Sequence, residues 1–426
     1  MREFRFPYGR KEVTFSLPEE SVLGEIIPRE VEGIADVESA IQEALISPFQ
    51  SPALSKICKP GEKVAIVVSD ITRPFPGPQV LPILLNELNR VGVPDEDITV
   101  VFALGGHRRH TKEEQKQVLG EEVARRVRYF DSFCEEQEDF VTIGTTSRGT
   151  KVDINKRVVE ADRKILTGII SYHYYSGFTG GRKAVVPGIS SFNTIQANHK
   201  LLLHPEPGAG HNPDACSGKL EGNPVHEDMV EACRMLKPDF LVNVVLSGHK
   251  NILRIFIGDP YAAHGEGCAF VESVFGYPIR EKADLVLVSA GGFPKDINYY
   301  QAHKALDNAF YAANKEGVII LLAACEEGIG PESYMDWVRM NSPGEMESRL
   351  RDYFEVSGHN WYTTFLKTEQ VRIILVSTVD QKVVEQLRFI PAQTVDEALG
   401  KAYELLKPDP SIYLMPQGYL TFPVFE

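Results

Sequence analysis

The sequence predicts an α/β protein of two domains, each built on a mostly parallel sheet, with an active-site cleft between the domains. Three observations carry that expectation. The chain has 426 residues, 43% of them hydrophobic, and single cores stop growing near ~250–300 residues. Short runs that are apolar throughout alternate with helix-like stretches, the pattern of strands covered on both faces. Chemically capable side chains gather just after the carboxyl ends of those runs, where open α/β sheets bind ligands.

Taken in order, Lys63–Ser69 reads as a buried strand, and Val80–Val91 follows with apolar residues at helical spacing. Ile98–Leu104 is a second strand. Thr111, with Glu114 three residues on, is a capping box that opens a helix. Lys164–Ile170 and Phe240–Leu246 are further strands, which assigns residues 1–270 to a first domain. The boundary falls at 265–282, where the helix Tyr261–Phe275 runs out at Gly276-Tyr-Pro278. A second set comprises strand Ala283–Ser289, helix Gln301–Asn314, strands Gly317–Ala323 and Val371–Ser377, and helix Val395–Leu406. These place a second domain at 280–408. The tail 409–426, rich in Pro, Gly and aromatics, is expected to return to the first domain.

The net charge of −14 and a pI near 5.4 leave no electrostatic footprint for nucleic acid or anionic membrane. The six cysteines form no C-x-x-C pair and read as idle thiols in a reducing compartment. The first residues carry no secretory h-region, and no apolar run approaches the ~18 residues of a membrane span. A cytoplasmic protein is expected.

Ser69-Asp-Ile-Thr-Arg-Pro74 closes the first strand. Arg73 there is either a surface guanidinium or a bidentate clamp for a carboxylate. In Gly105-Gly-His-Arg-Arg-His-Thr111, His107 follows a glycine pair that lets the backbone turn tightly against a ligand. An imidazole there suits acid–base work, the plainer alternative being an ordinary loop histidine. His110, beside the helix start, reads as a surface residue.

The most informative stretch is Ser171-Tyr-His-Tyr-Tyr-Ser-Gly-Phe-Thr-Gly-Gly-Arg-Lys-Ala184. It holds His173, a turn with Thr179, Gly180 and Gly181, and Lys183. It is not a P-loop, because Ala184 stands where Ser or Thr would bind magnesium. Its amides can still cradle a phosphate. Lys183 is either a solvated cation or, if buried with a lowered pKa, a covalent attachment point. His199, in a helix-like segment, is a surface or core residue or a lone metal ligand. With no H-E-x-x-H and no Cys–His cluster, other ligands would have to come from a cofactor.

His204, His211 and His226 lie in a Pro/Gly-rich stretch and read as loop residues. In Gly291–Lys304, Gln301 and Lys304 share a helix face just after Tyr300, at a helix N-terminus suited to an organic anion. Trp361 reads as a loop aromatic used for packing.

Four separated motifs together resemble the lactate racemase family of nickel-pincer nucleotide enzymes. They are Asp70-x-x-Arg73-Pro74, Gly106-His107-Arg108, the run from His173 through Lys183 to His199, and Lys295-Asp296 with Tyr300-Gln301-x-x-Lys304. The resemblance implies a racemase or epimerase of a small, lactate-like 2-hydroxy acid. It implies a pyridinium mononucleotide with two sulfur groups and nickel, joined to Lys183 by a thioamide bond, with His199 as a nickel ligand. Asp70, Thr179, Gly180 and Gly181 would lie about that cofactor. His107 and His173 would be the acid–base pair, and Arg73, Tyr300, Gln301 and Lys304 would hold the substrate. Dedicated cofactor-synthesis enzymes are implied as partners, and protein made without them is expected in the apo form. Competing readings of the same residues are a hydrolase or lyase acting without the pincer cofactor, and a non-enzymatic nucleotide-binding protein.

Overall fold

The computed structural model describes residues 1–426. It divides into two compact units. One comprises residues 31–202 and 213–272, the other residues 1–30, 203–212 and 273–426.

The first unit is built on a six-stranded sheet. Its order is Ile252–Gly258, Phe240–Leu246, Arg163–Ile169, Val64–Ser69, Ile98–Ala103, Arg128–Ser132. Every pairing is parallel except that of the edge strand Ile252–Gly258. The interior strands are buried along nearly their whole length, which is why they read as unbroken apolar runs. Helix Gly77–Arg90 covers one face through Val80, Leu81, Leu84, Leu85 and Leu88, all fully buried. The chain passes from Val64–Ser69 to the strand on one side and from Arg163–Ile169 to the strand on the other. The strand order therefore reverses between these two neighbours. Ligand crevices form outside the carboxyl ends of strands at such a point. Asp70 follows the first of the two strands and Tyr172–Lys183 the second.

The second unit carries six parallel strands in the order Ile390–Ala392, Arg372–Val376, Ala313–Leu322, Ala283–Ser289, Ile412–Met415, Val22–Glu25. Two expectations are corrected here. The tail does not return to the first domain: Ile412–Met415 pairs with Ala283–Ser289, and Phe422–Phe425 pairs with Gly276–Ile279. The first thirty residues also belong to this unit. Val22–Glu25 is its edge strand, and the hairpin Arg2–Tyr8/Lys11–Leu17 buries Phe4, Phe6, Phe15 and Leu17 in its core. Four-residue strands carry too little periodicity to name their partner. Only the hydrogen-bond ladder does. No helix is long and apolar enough to cross a membrane.

Candidate active site

At the carboxyl end of Val64–Ser69 the chain turns sharply, Arg73 N–H donating to the Asp70 carbonyl at 3.0 Å. Asp70 is buried. Its carboxylate accepts from Thr72 Oγ1 at 2.9 and 3.0 Å and meets His107 Nδ1 at 2.7 Å. Burial alone would raise its pKa, but the His107 and Thr72 hydrogen bonds and the Arg73 charge outweigh that and hold it below the usual value. The remaining His107 nitrogen, Nε2, is the one left for chemistry, and about half of the side chain is exposed. Arg73 forms no ion pair, and its charge acts on Asp70.

The His107 loop joins the lysine loop through the backbone. Gly105 N–H donates to the Gly188 carbonyl at 2.9 Å. Tyr172–His173 and Gly177–Phe178 form a two-rung hairpin, and Gly181–Ala184 a single 3-10 turn. The glycines here serve the protein's own packing. Gly181 has φ +52, and a Cβ on it would lie 2.7 Å from the His264 ring. One on Gly180 would lie 2.6 Å from Asn243 Oδ1, the atom that accepts from Gly181 N–H. Thr179 Oγ1 is likewise engaged, donating to the Ile169 carbonyl at 2.8 Å and accepting from Ser171 N–H at 2.9 Å. Together the three residues shape the turn that leads into Lys183.

Arg182 was absent from the sequence reading and is central to the geometry. It is buried, and its guanidinium donates to the carbonyls of Ser176 at 2.6 Å and Phe178 at 2.9 Å, tying the hairpin to the turn. No carboxylate neutralises it, and burial lowers its pKa to about 10. Lys183 follows, its ammonium position 5.2 Å from the Tyr175 ring. Burial first, then the Arg182 and Arg73 charges, push the Lys183 pKa far below the ordinary lysine value. His173 is depressed in the same way, by burial and then by Lys183, Arg73, Arg182 and His199. His199 sits near the end of helix Phe192–Lys200 with Nε2 2.9 Å from Tyr175 Oη. Burial and Lys183 take its pKa to about 3. Arg73, His173, Lys183 and His199 are thus within electrostatic reach of one another, all inside the first unit.

The residues predicted in the second unit form a separate group. The loop after Ala283–Ser289 leaves the sheet at a second reversal of strand order, with Ile412–Met415 on the other side. Asp296 is committed to the fold, accepting from Gly9 N–H at 2.6 Å and Ala324 N–H at 3.1 Å. Asn298 caps helix Tyr299–Phe310 by accepting from Gln301 N–H. Gln301 on its first turn and Lys304 on its second are exposed, Lys304 Nζ donating to Gln301 Oε1 at 3.1 Å, while Tyr300 is partly buried.

Family models described as the lactate racemase N-terminal domain and the lactate racemase C-terminal domain match residues 8–210 and 279–422. The chain belongs to the lactate racemase family. A curated lactate racemase of Thermoanaerobacterium thermosaccharolyticum is 32% identical over 98% of both chains. One of Lactiplantibacillus plantarum is 33% identical over 97% of both. The solved lactate racemase apoprotein from Thermoanaerobacterium thermosaccharolyticum superposes with a TM-score of 0.90 at 30% identity, covering 99% of this chain and all of the other. A Thermotoga maritima protein at 18% identity and TM-score 0.64, covering 93% of this chain and all of its own, shares the fold. The chain is therefore an isomerase of the racemase class.

Within this lactate racemase family member four histidines and a tryptophan stand in places their sequence reading did not give. His110 is not a surface residue. Its side chain is almost wholly buried, because Asp131 lies 2.9 Å from Nδ1. His226 is on helix Pro224–Leu236, where burial lowers its pKa to about 2. His204 and His211 are in a loop as expected, but in the second unit, where His211 Nδ1 lies 3.2 Å from His359 Nε2. Trp361 is a helix residue, packed edge-on against Tyr334 and Phe365. No group of three or more His, Cys, Asp and Glu side chains could hold a metal ion.

Proposed function

We propose that this racemase interconverts the enantiomers of a small, lactate-sized 2-hydroxy acid, using a nickel-pincer nucleotide attached to Lys183. The observation that carries the reading is the state of Lys183. Burial first and then the charges of Arg182 and Arg73 disfavour its ammonium form, and loss of that proton is what an amine needs to make a covalent bond to an acyl-type carbon. The neighbouring residues fit such a group. His199 is a neutral imidazole and so a ready nitrogen ligand. The chain has no cluster able to complete a metal's coordination unaided, which suits a metal whose other ligands arrive with an organic cofactor. Arg73 and Arg182 make the surroundings positive, as an anionic nucleotide and a carboxylate substrate both require.

When bound, the cofactor supplies the hydride acceptor that no side chain can be. The chain supplies the rest. Arg73 holds the substrate carboxylate through a bidentate pair. His107 Nε2 takes the hydroxyl proton of one enantiomer as hydride leaves C2, and His173 does so for the other. The product of that step is a flat 2-keto acid, to which hydride and proton return on either face. Asp70 fixes the His107 ring and stabilises the imidazolium it becomes. Gln301 and Lys304 orient the oxygen on C2, with Tyr300 beside them. Cofactor-synthesis enzymes in the same cytoplasm complete the reading. None of the six cysteines is in a disulfide.

The test is production together with cofactor-synthesis enzymes, then incubation with single enantiomers of a panel of 2-hydroxy acids and chiral chromatography. At least one acid should drift to an equal mixture. Nickel-loaded protein that converts none of them would overturn the proposal.

A further inference from the structure

We propose that His110, clamped by Asp131, is a positioning residue that sets the Asp70–His107 pair in place. The inference rests on the reading of His107 as an acid–base group.

The argument begins with tautomers. Ile71 N–H donates to His110 Nε2 at 3.0 Å, so that nitrogen must be bare. The proton is then on Nδ1, 2.9 Å from Asp131 Oδ1. Asp131 also accepts from the His110 backbone N–H at 2.9 Å and from Gln115 Nε2 at 3.1 Å. The His110 ring packs edge-on to Phe102 at 4.9 Å, and its side chain is only 1% exposed. Ring, tautomer and tilt are all fixed.

Ile71 immediately follows Asp70. The other bonds that shape residues 70–73 are local: Thr72 to Asp70, and Arg73 N–H to the Asp70 carbonyl. Apart from His107 itself, His110 is the side chain of another element that holds this turn. His110 also lies three residues after His107 on the same loop. That loop is braced by the Arg108–Glu114 pair and the Thr111 capping box. Both members of the 2.7 Å Asp70–His107 hydrogen bond are thus referenced to one anchor, Asp131 on strand Arg128–Ser132. A misplacement of ~1 Å at such a pair costs a rate factor of about 10².

The test compares wild type with His110→Ala, His110→Gln and Asp131→Asn, in two forms of the whole chain. In apo protein the readout is the hydrogen-bonded Nδ1–H proton of His107 in NMR, assigned by its loss in His107→Ala. It should broaden or vanish in His110→Ala and in Asp131→Asn. It should persist in part in His110→Gln, whose Oε1 can still accept from Ile71 N–H. In cofactor-loaded protein His110→Ala should lower kcat about ten- to hundredfold with KM within about twofold, and the Gln variant should recover part of that. A folded His110→Ala protein with an unchanged His107 signal overturns the proposal. So does activity lost only in proportion to unfolded protein. Since the NMR arm needs no turnover, failure of the racemase reading would leave the positioning claim separately decided.

Discussion

The loops at the carboxyl ends of the two six-stranded sheets are chemically unlike. The loop following Arg163–Ile169 in the first is largely buried. Its cations, Arg182 and Lys183, have no carboxylate partner, and burial lowers the pKa of its His173. The loop following Ala283–Ser289 buries its acid, Asp296, against backbone amides and leaves Gln301 and Lys304 in water. Two α/β sheets of similar strand count have divided the work. Burial without compensation disfavours the charged forms of reactive groups in one. An exposed, capped helix start presents binding groups in the other. Desolvation raises reactivity at a cost in stability, whereas an exposed lysine costs little and retains its charge.

The largest break in that contrast is Lys183→Ala. Turnover by protein made with the cofactor-synthesis enzymes should fall by at least about 10⁴-fold, because holding the reacting group in place supplies effective molarities of ~10⁵ M and above. The melting temperature should not fall, since a buried amine has been removed. Next come His107→Ala and His173→Ala, each expected to lower kcat by about 10²–10⁴-fold while leaving the mass on Lys183 in place. A loaded double variant that still racemises would remove both histidines from the mechanism. In the other unit, Lys304→Ala should act mainly on KM, raising it about ten- to hundredfold. Cofactor content should be unchanged.

Gly181→Ala sharpens the contrast from the side of stability. The new Cβ meets the His264 ring at a positive φ, so the first unit should lose about 1–3 kcal/mol in denaturant unfolding. An unchanged midpoint would show that the Lys183 turn is loosely held. A further effect on stability is a pH dependence common to both units. His264 is depressed to about 3 and His303 to about 4, both by burial first. The unfolded chain therefore binds protons that the folded one does not, and stability is lost as pH falls below 6.5. Each group contributes a slope of about 1.4 kcal/mol per pH unit, ending near its folded pKa. His264→Gln should flatten the slope of the first unit and His303→Gln that of the second, as read by urea midpoints between pH 4 and 7.

The sequence made legible what depends on local pattern. The strands at 64–69, 98–103, 163–169, 240–246 and 283–289 show as apolar runs because both faces are covered. The Thr111 capping box was visible as two residues at fixed spacing. Most of the proposed site residues of the first unit stand in loops just after strands, where loops can carry chemistry; His199, inside helix Phe192–Lys200, does not. What depends on distant partners was hidden. Nothing local marks Arg182, whose partners are the carbonyls of Ser176 and Phe178 folded over it. His110 reads as a surface residue until Asp131, on an amphipathic strand with no apolar run, comes beside it. The close approach of Asn243 to Gly180 and of His264 to Gly181, from more than sixty residues on, was likewise hidden. The sequence reading failed most plainly at the ends of the chain, where strands of four residues complete a sheet begun hundreds of residues away.

The central claim is that the buried Lys183 is the attachment point on which racemisation depends. Peptide mass mapping of protein made with the cofactor-synthesis enzymes, run beside a chiral assay of the same sample, tests it most directly. The account predicts an added mass on the peptide containing Lys183, one nickel per modified chain, and activity proportional to the modified fraction. Full racemase activity from protein whose Lys183 is unmodified would contradict it.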